Sequence, residues 1–338
     1  MNPSRHWLSA VLLLSAAAAP SSAGAWDRGR AVRFATLPDG AAAPEGLEVD
    51  AAGNVYVAAF GSASGHGELY VFDRHGRFQR HLTVADSSPS PLALAFLPGT
   101  RTLLLIDFGA SRVLAVDPRD GASTVFMTLP ALPHAGGAGL NDVTFDQAGN
   151  VYVSDSFQGV VWRTGPTGGL ATAWVDDPLL RTSGVPPFGA NGLRFNRAGT
   201  ALFVANTGQD TVVRVPVLAG AAGVPAVFAN GIHGADGLLV DQDDNLWVAA
   251  NQADEIVVVD PTGKAIAKLG DFDGLDRRGA PVGLLFPASL RFAGQDLLVT
   301  NLSLDLRLFN PAFTSVDSAW AADAHRHTVA RIRARLRP

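Results

Sequence analysis

Short apolar stretches separated by turn residues recur along the chain, with no helical period between them. In a typical unit the turn Asp146-Gln-Ala-Gly-Asn150 precedes the strand-like segment Val151-Tyr-Val-Ser-Asp155. Such turns are rich in residues that tolerate positive φ, and the segments after them are rich in β-branched and aromatic residues. The pattern therefore predicts an all-β protein built from short strands.

These strands are organised by a repeat of about fifty residues, a length within the range of propeller blades. Six similar apolar segments begin at intervals of 47, 49, 50, 45 and 52 residues. Their first residues are Glu45, Leu92, Asn141, Asn191, Asp236 and Ala288. A second and a third strand follow each start, and a more polar fourth strand completes the unit. Four antiparallel strands repeated six times predict a six-bladed β-propeller, whereas a sandwich would not repeat one internal order six times.

The two ends of the chain indicate how the ring of blades closes. The last unit has strands beginning at Ala288 and Leu297 and a third within 328–336, but no fourth. The segment 31–37 near the N-terminus has the pattern of the missing strand. We therefore expect the N-terminal strand to complete the last blade, within a single domain of residues 26–338.

The first residues resemble an export signal. Arg5 precedes the apolar run 8–19, and Ala23-Gly24-Ala25 has the small residues of a cleavage site. An apolar run of about a dozen residues is too short for a bilayer, which needs roughly 20. We expect residues 1–25 to be a cleaved signal peptide and the mature protein to be periplasmic or secreted, without a membrane anchor.

Composition excludes several classes of function. The chain has no cysteine, which rules out disulfides, thiolate metal sites and cysteine nucleophiles. Lys and Arg number 26 against 31 Asp and Glu, giving a formal net charge of −5, so no basic field exists to hold nucleic acid. We expect a monomer whose partner is a small molecule, with no nucleic acid or membrane partner.

The first strand of a propeller blade lies innermost, so residues at one repeat position should form a ring around the axis. Two carboxylates and two amides occupy this ring, at Glu45, Asn141, Asn191 and Asp236. Carboxylates that converge in a poorly hydrated channel repel each other, and a divalent cation would relieve this. Oxygen donors without His or Cys favour a hard ion such as calcium over zinc. The alternative is ordinary turn chemistry, since Asn-Gly and Asp-Gly are common turn pairs.

With these motifs in this order, the sequence resembles the senescence marker protein, gluconolactonase and luciferin-regenerating enzyme family. The motifs are Pro44-Glu-Gly, Leu140-Asn-Asp, Ala190-Asn-Gly and Ala235-Asp-Gly, in the first, third, fourth and fifth repeats. The resemblance covers essentially all of the mature chain. It implies a catalytic divalent metal, calcium above all, held by Glu45, Asn141, Asn191 and Asp236.

The resemblance also implies hydrolysis of a lactone or related ester, in which the metal polarises the carbonyl. Asp236 would then act as general base or nucleophile as well as metal ligand, and Asn141 would orient substrate oxygens as a second catalytic residue. His134 and His233 precede Asn141 and Asp236 on loops and remain alternative bases.

Two features keep other interpretations open. Sugar lactonases of the family often carry an arginine two residues before the third-repeat Asn, where this chain has Gly139, which weighs against an aldonolactone substrate. Repeats such as 146–156 also resemble NHL propellers, so a non-catalytic propeller that binds a ligand or protein partner around a structural metal is the alternative. We expect substrate choice to lie in the loops 129–139, 176–189 and 271–287.

Overall fold

The computed structural model describes residues 29–313 and 318–336. Within these ranges the secondary structure is almost entirely β, with one short helix, α1 (Ser318–Asp323), and a few 3-10 turns. The predicted all-β fold is confirmed. No helix in these ranges is long and apolar enough to cross a membrane. The predicted signal peptide, 1–25, lies outside the described residues.

After β1 (Val32–Thr36), the strands pair into antiparallel groups of four that follow one another along the chain. Group 1 contains β2 (Ala43–Val49), β3 (Val55–Phe60), β4 (Gly67–Phe72) and β5 (Phe78–Val84). Group 2 contains β6 (Pro91–Phe96), β7 (Leu103–Asp107), β8 (Arg112–Val116) and β9 (Ser123–Thr128). Group 3 contains β10 (Leu140–Phe145), β11 (Val151–Asp155), β12 (Val160–Gly165) and β13 (Gly168–Asp176).

The second half of the chain continues the same arrangement. Group 4 contains β14 (Ala190–Phe195), β15 (Ala201–Asn206), β16 (Thr211–Leu218) and β18 (Ala226–Asn230), with the short β17 (Ala221–Ala222) beside β16. Group 5 contains β19 (Ala235–Val240), β20 (Leu246–Ala250), β21 (Glu255–Val259) and β22 (Ala265–Leu269). A separate hairpin, β23 (Phe272–Leu275) and β24 (Pro281–Gly283), precedes β25 (Pro287–Ala293), β26 (Asp296–Asn301) and β27 (Thr328–Arg333).

The N-terminal strand joins the last three strands to form group 6. Strand β1 pairs with β27 in antiparallel register, with Val32 opposite Arg331 and Thr36 opposite Thr328. The innermost strands β2, β6, β10, β14, β19 and β25 contact one another in sequence, and β25 contacts β2. The groups therefore surround a common axis, and the pairing of the two chain ends expected from the sequence is present.

The apolar core lies between neighbouring groups rather than in one central mass. Each of six buried clusters combines side chains from two consecutive groups. One contains Leu104 of group 2 and Trp162 of group 3, and another contains Ala35 of group 6 and Val57 of group 1. Both faces of each sheet are thus covered, which is why the second strands are apolar throughout. The cluster between groups 6 and 1 closes the ring of groups.

Three features depart from the simple repeat. The segment 271–287, expected to be a loop, contains the β23–β24 hairpin, and helix α1 lies between β26 and β27. Strand β13 also pairs in parallel with β9, with Gly169 opposite Met127, so the sheets of groups 2 and 3 are joined at their outer edges. None of these elements follows the fifty-residue period, because each is an insertion or an edge contact specific to one group.

A charge placed on the buried face of β1 should disrupt the apolar packing between groups 6 and 1. Ala35 is 3% exposed, whereas Val32 on the same strand is 38% exposed. We expect Ala35→Glu to lower the free energy of unfolding by about 3–5 kcal/mol, since it buries an unpaired charge. The matched change Val32→Glu should cost within about 0.5 kcal/mol. Urea unfolding measures both, and equal losses for the two variants would contradict this closure.

Candidate metal centre

The first strand of every group is irregular at the position predicted to form the ring. Its register with the second strand shifts across Pro44/Leu47, Pro91/Leu94, Leu140/Val143, Ala190/Leu193, Ala235/Leu238 and Pro287/Leu290. A β-bulge bends its strand and re-aims a side chain, and such bulges are common beside functional sites. The six ring residues lie inside these bulges, which releases them from the regular alternation of the strand.

The structure brings the four predicted oxygen-bearing residues together. Each is at most 7% exposed, and all four line both a cavity at the mouth of the axis and a smaller cavity beneath it. They are Glu45, Asn141, Asn191 and Asp236. Together with Leu92 and Ala288 at the same position of groups 2 and 6, these four residues form a ring that we call the inner ring. The inner ring separates the mouth from the interior of the axis.

The glycines after three of these residues have a packing role rather than a turn role. Gly46, Gly192 and Gly237 lie inside strands, and a Cβ on any of them would collide with the backbone of the next group. At Gly192 the added Cβ would lie 2.3 Å from the carbonyl oxygen of Asp236. The Asn-Gly and Asp-Gly pairs are thus not turns, and glycine is needed because neighbouring inner strands approach closely.

A second set of residues surrounds the inner ring, at or directly after the ends of the second strands. We call it the outer ring, and it consists of Phe60, Phe108, Ser156, Thr207, Asn251 and Leu302. Its polar members stand beside the polar inner-ring residues of groups 3, 4 and 5. Sequence reasoning missed them, although all six occupy one repeat position, directly after the five-residue apolar segments of the second strands.

The polar outer-ring residues fix the orientation of the inner ring. Asn141 Nδ2 donates to Ser156 Oγ (3.3 Å), and Asn191 Nδ2 donates to Thr207 Oγ1 (2.9 Å). Because the amide nitrogens are engaged outward, the carbonyl oxygens of Asn141 and Asn191 remain for the axis. Asn251 Nδ2 donates to Asp236 Oδ2 (2.9 Å), which holds the carboxylate in place. The hydroxyls of Ser156 and Thr207 in turn donate to backbone carbonyls of the next group.

Burial disfavours the ionised forms of both ring carboxylates. It raises the pKa of Asp236 to about 7, with the Asn251 hydrogen bond opposing and the charge of Asp142 adding to the shift. Burial, followed by repulsion from Asp236, raises the pKa of Glu45 well above its usual value. Glu45 Oε2 is buried without a hydrogen-bond partner. An unpartnered carboxylate oxygen beside a second carboxylate is the environment that a cation stabilises.

The donor set fits a hard divalent cation. Two carboxylates and two amide oxygens carry a charge of −2, and oxygen-only sets of this kind suit calcium or magnesium rather than zinc. Within the described residues no group of three or more His, Cys, Asp or Glu is close enough to hold a metal. A site here therefore depends on the amide oxygens as well as on Glu45 and Asp236.

Beneath the inner ring lies a layer of compensated charge. Arg194 Nη1 is 2.6 Å from Asp142 Oδ2, and Arg291 Nε is 3.2 Å from Glu48 Oε2. Arg194 and Asp142 both border the cavity below the ring, as does Arg291. Because the two partners of each pair neutralise one another, the uncompensated charge on the axis is that of Glu45 and Asp236.

The two histidines considered as alternative bases lie away from the ring. His134 Nε2 is 2.9 Å from both carboxylate oxygens of Asp176 and 2.6 Å from Arg181 Nη2. The side chain of His233 is 69% exposed, and its Nδ1 lies 3.0 Å from Asp210 Oδ2. Neither histidine lines the cavity at the mouth. Of the candidate bases, the structure places only Asp236 there.

The cavity above the inner ring is a small chamber of about 50 Å³. Its walls are largely apolar and were not identified from the sequence, apart from parts of two predicted loops. Those loops contribute Pro186, Phe188 and Phe286, whereas the loop 129–139 contributes none of the lining residues. The segment after β26 contributes Leu302, Leu304, Leu306 and Phe309. Apart from Leu302, which occupies the outer-ring position, these residues lie outside the repeated strands, so periodicity could not reveal them.

An all-β chain arranged in groups about an axis, with a buried polar ring at one end, defines a propeller-type protein with a candidate metal centre. Residues 95–270 match the model of the SMP-30/gluconolactonase/LRE-like region. The chain therefore belongs to this family, and the membership expected from its motifs is confirmed.

Solved structures show the same fold at low sequence identity. A luciferin-regenerating enzyme is 15% identical with a TM-score of 0.64, over 90% of this chain and 95% of that chain. The calcium-binding protein regucalcin from Agrobacterium tumefaciens is 20% identical with a TM-score of 0.60, over 92% and 96%. A gluconolactonase from Xanthomonas campestris is 17% identical with a TM-score of 0.58, over 82% and 87%. A search of curated protein sequences gave no match.

Without a bound cation, the burial of Asp236 should produce a pH dependence of the free energy of unfolding. Because the pKa of Asp236 rises from 3.8 to about 7 on folding, the folded state keeps a proton that the unfolded state releases in this range. The free energy of unfolding in chelator should therefore fall as pH rises from about 4 to about 7. Asp236→Asn should remove that part of the slope, as measured by urea unfolding across this range.

A surface carboxylate provides the control for this pH measurement. The hydrogen bond from Arg33 lowers the pKa of Asp276 to about 2, so this group titrates below the window. Asp276→Asn should leave the slope between pH 4 and 7 unchanged. Identical slopes for the wild type and Asp236→Asn would show that Asp236 is not the strained group.

Proposed function

We propose that this protein is a six-bladed β-propeller that hydrolyses a lactone or related ester with a divalent metal, calcium above all, on its axis. The six groups of four strands are the blades, and the inner ring of Glu45, Asn141, Asn191 and Asp236 holds the ion. The observation that carries the proposal is the buried Glu45 Oε2, which lacks a hydrogen-bond partner and shares the axis with Asp236.

The family membership and the solved structures support this proposal. The family model covers the central part of the chain, and one structural neighbour is described as a gluconolactonase, another as a calcium-binding protein. The geometry adds that both ring carboxylates face a chamber that a small ligand could enter from the mouth.

The residues of the chamber have distinct tasks in this proposal. A bound divalent cation supplies Lewis-acid polarisation of the ester carbonyl. Asn251, Asn191 and the backbone N–H of Gly237 donate to Asp236 and orient its carboxylate, which would accept a proton from the attacking water. Asn141 and Asn191, anchored by their amide nitrogens, present oxygens of fixed orientation. The apolar walls keep bulk water from the reacting atoms.

Calcium titration of the chelator-stripped protein tests the site and the activity together. We expect saturable binding by calorimetry and calcium-dependent turnover on a panel of lactones and esters. The double variant Asp236→Ala, Asn191→Ala should lose both, because it removes a charge and an amide oxygen from the ring. The surface variant Asp117→Ala, which breaks an exposed pair with Arg119, should retain both.

The possible outcomes separate the candidate functions. Binding without turnover on any ester or lactone would favour the alternative, a non-catalytic propeller with a structural ion that binds a ligand or protein partner. Failure of the wild type to bind calcium, magnesium or manganese would overturn the metal assignment and leave the fold unaffected.

We further propose that residues 1–25 direct export and are removed after Ala25, which places the mature protein in the periplasm or outside the cell. The apolar run and the small residues at 23–25 support this. The intact mass of protein recovered from the periplasm or medium of an expressing bacterium should correspond to a chain that begins at Trp26. A mass that retains Met1 would contradict the proposal.

A further inference from the structure

The mouth of the axis is divided into a polar and an apolar sector. In groups 3, 4 and 5 the outer-ring residues are Ser156, Thr207 and Asn251, each hydrogen-bonded to an inner-ring side chain. In groups 6, 1 and 2 the same repeat position carries Leu302, Phe60 and Phe108, and all three line the chamber. The outer ring is therefore polar in groups 3 to 5 and apolar in groups 6, 1 and 2, where Glu45 of the inner ring is the one polar residue, among those the structure describes, that lines the chamber.

The walls above the outer ring extend the apolar sector. Aromatic rings follow one another around the mouth, with centroid distances of 6.2 Å for Phe60–Phe108, 5.8 Å for Phe108–Phe157, 5.6 Å for Phe157–Phe188 and 6.1 Å for Phe188–Phe309. No Lys, Arg or His is among the described residues that line the chamber. Its polar lining residues all belong to the inner or outer ring.

This distribution of polarity discriminates between classes of substrate. Hydroxyl groups that enter an apolar space lose their hydration without finding new partners. Each methylene buried there instead gains affinity, by about fourfold. A lactone whose carbonyl lies over the inner ring would place its substituents against Phe60, Phe108 and Leu302.

The size of the chamber requires its side chains to move for such a ligand. A volume of about 50 Å³ has room for an ion and water, whereas sites for larger ligands are typically 300–1,000 Å³. Phe309 is 46% exposed and closes the mouth against Phe188. Displacement of these two rings would widen the chamber while the inner ring, held by strands, stays fixed.

Resting on the proposed hydrolase function, we infer that the substrate is a lactone or ester with an apolar alkyl or aryl body rather than a polyhydroxylated sugar lactone. Phe60, Phe108 and Leu302 are the specificity-determining residues. In the reaction a water oxygen forms a bond to the carbonyl carbon, and the bond between that carbon and the ester oxygen breaks. One proton of the water passes to the departing oxygen by way of Asp236, and no redox change occurs.

A series of six-membered lactones with different substituents tests this inference. In the presence of calcium, kcat/KM for δ-decalactone should exceed that for δ-valerolactone at least tenfold, about the gain from two buried methylenes. Glucono-δ-lactone should be hydrolysed more slowly than either. Equal or faster hydrolysis of glucono-δ-lactone would overturn the inference and leave the hydrolase function standing.

Variants that place polar outer-ring residues at the apolar outer-ring positions test which residues determine the substrate preference. Phe108→Thr with Leu302→Asn introduces residues that groups 4 and 5 carry at the same repeat position. We expect this double variant to reduce the ratio of kcat/KM for δ-decalactone over δ-valerolactone at least fivefold. Phe78→Thr, on the outer strand β5 at 46% exposure, should leave the ratio unchanged. An unchanged ratio in the double variant would overturn the assignment of these residues.

A binding measurement distinguishes failure of this inference from failure of the hydrolase function. The lactams that correspond to δ-decalactone and δ-valerolactone resist hydrolysis and can be titrated into calcium-loaded protein by calorimetry. At least tenfold tighter binding of the pentyl-substituted lactam, with no lactone turned over, would refute the hydrolase function and retain the apolar ligand chamber. Equal binding of the two lactams would overturn the inference, whatever the turnover.

Discussion

Two buried carboxylates line the same cavity on the axis, and the repulsion between them is the constraint to which the surrounding residues are fitted. Glu45 and Asp236 reach this position because the inner strands bulge and approach one another so closely that glycine follows each of them. The compensated pairs beneath the ring, such as Arg194 with Asp142, supply no spare positive charge. The residual charge of −2 therefore requires protonation or a cation, and the neutral amides of the ring favour the cation.

The inner and outer rings show how one repeat can build an asymmetric site. Every group supplies the same two positions, so the polarity of the mouth depends on which residue occupies each position. Where the inner residue is polar in groups 3 to 5, the outer residue is a hydrogen-bonding side chain such as Thr207. Where the inner residue is Leu92 or Ala288, the outer residue is Phe108 or Leu302. The two positions vary together because a buried polar group needs a partner beside it.

Periodicity in the sequence predicts those parts of the structure that repeat. The strands, the pairing of 31–37 with the C-terminal strand and the convergence of the inner ring all depend on local patterns, which a single chain displays. The β23–β24 hairpin, helix α1 and the wall at Phe309 were missed, because each occurs in one group only. The contact between Phe188 and Phe309 joins loops far apart in the sequence, and no local pattern specifies it. The outer ring was predictable in principle, because it lies one residue beyond the apolar segments of the second strands.

Glu45 is the exception to the matching of the two rings, and the exception indicates its role. Its outer-ring neighbour is Phe60, which offers no hydrogen bond, whereas Asp236 is held by Asn251. Burial therefore raises the pKa of Glu45 without a nearby donor to offset it, apart from the charge of Arg291. A carboxylate that accepts no hydrogen bond from a neutral donor gains most from a cation. A carboxylate that accepts such a bond can also exchange a proton. Under the proposed function, this difference would make Glu45 the anchor of the ion and Asp236 the carboxylate suited to proton transfer.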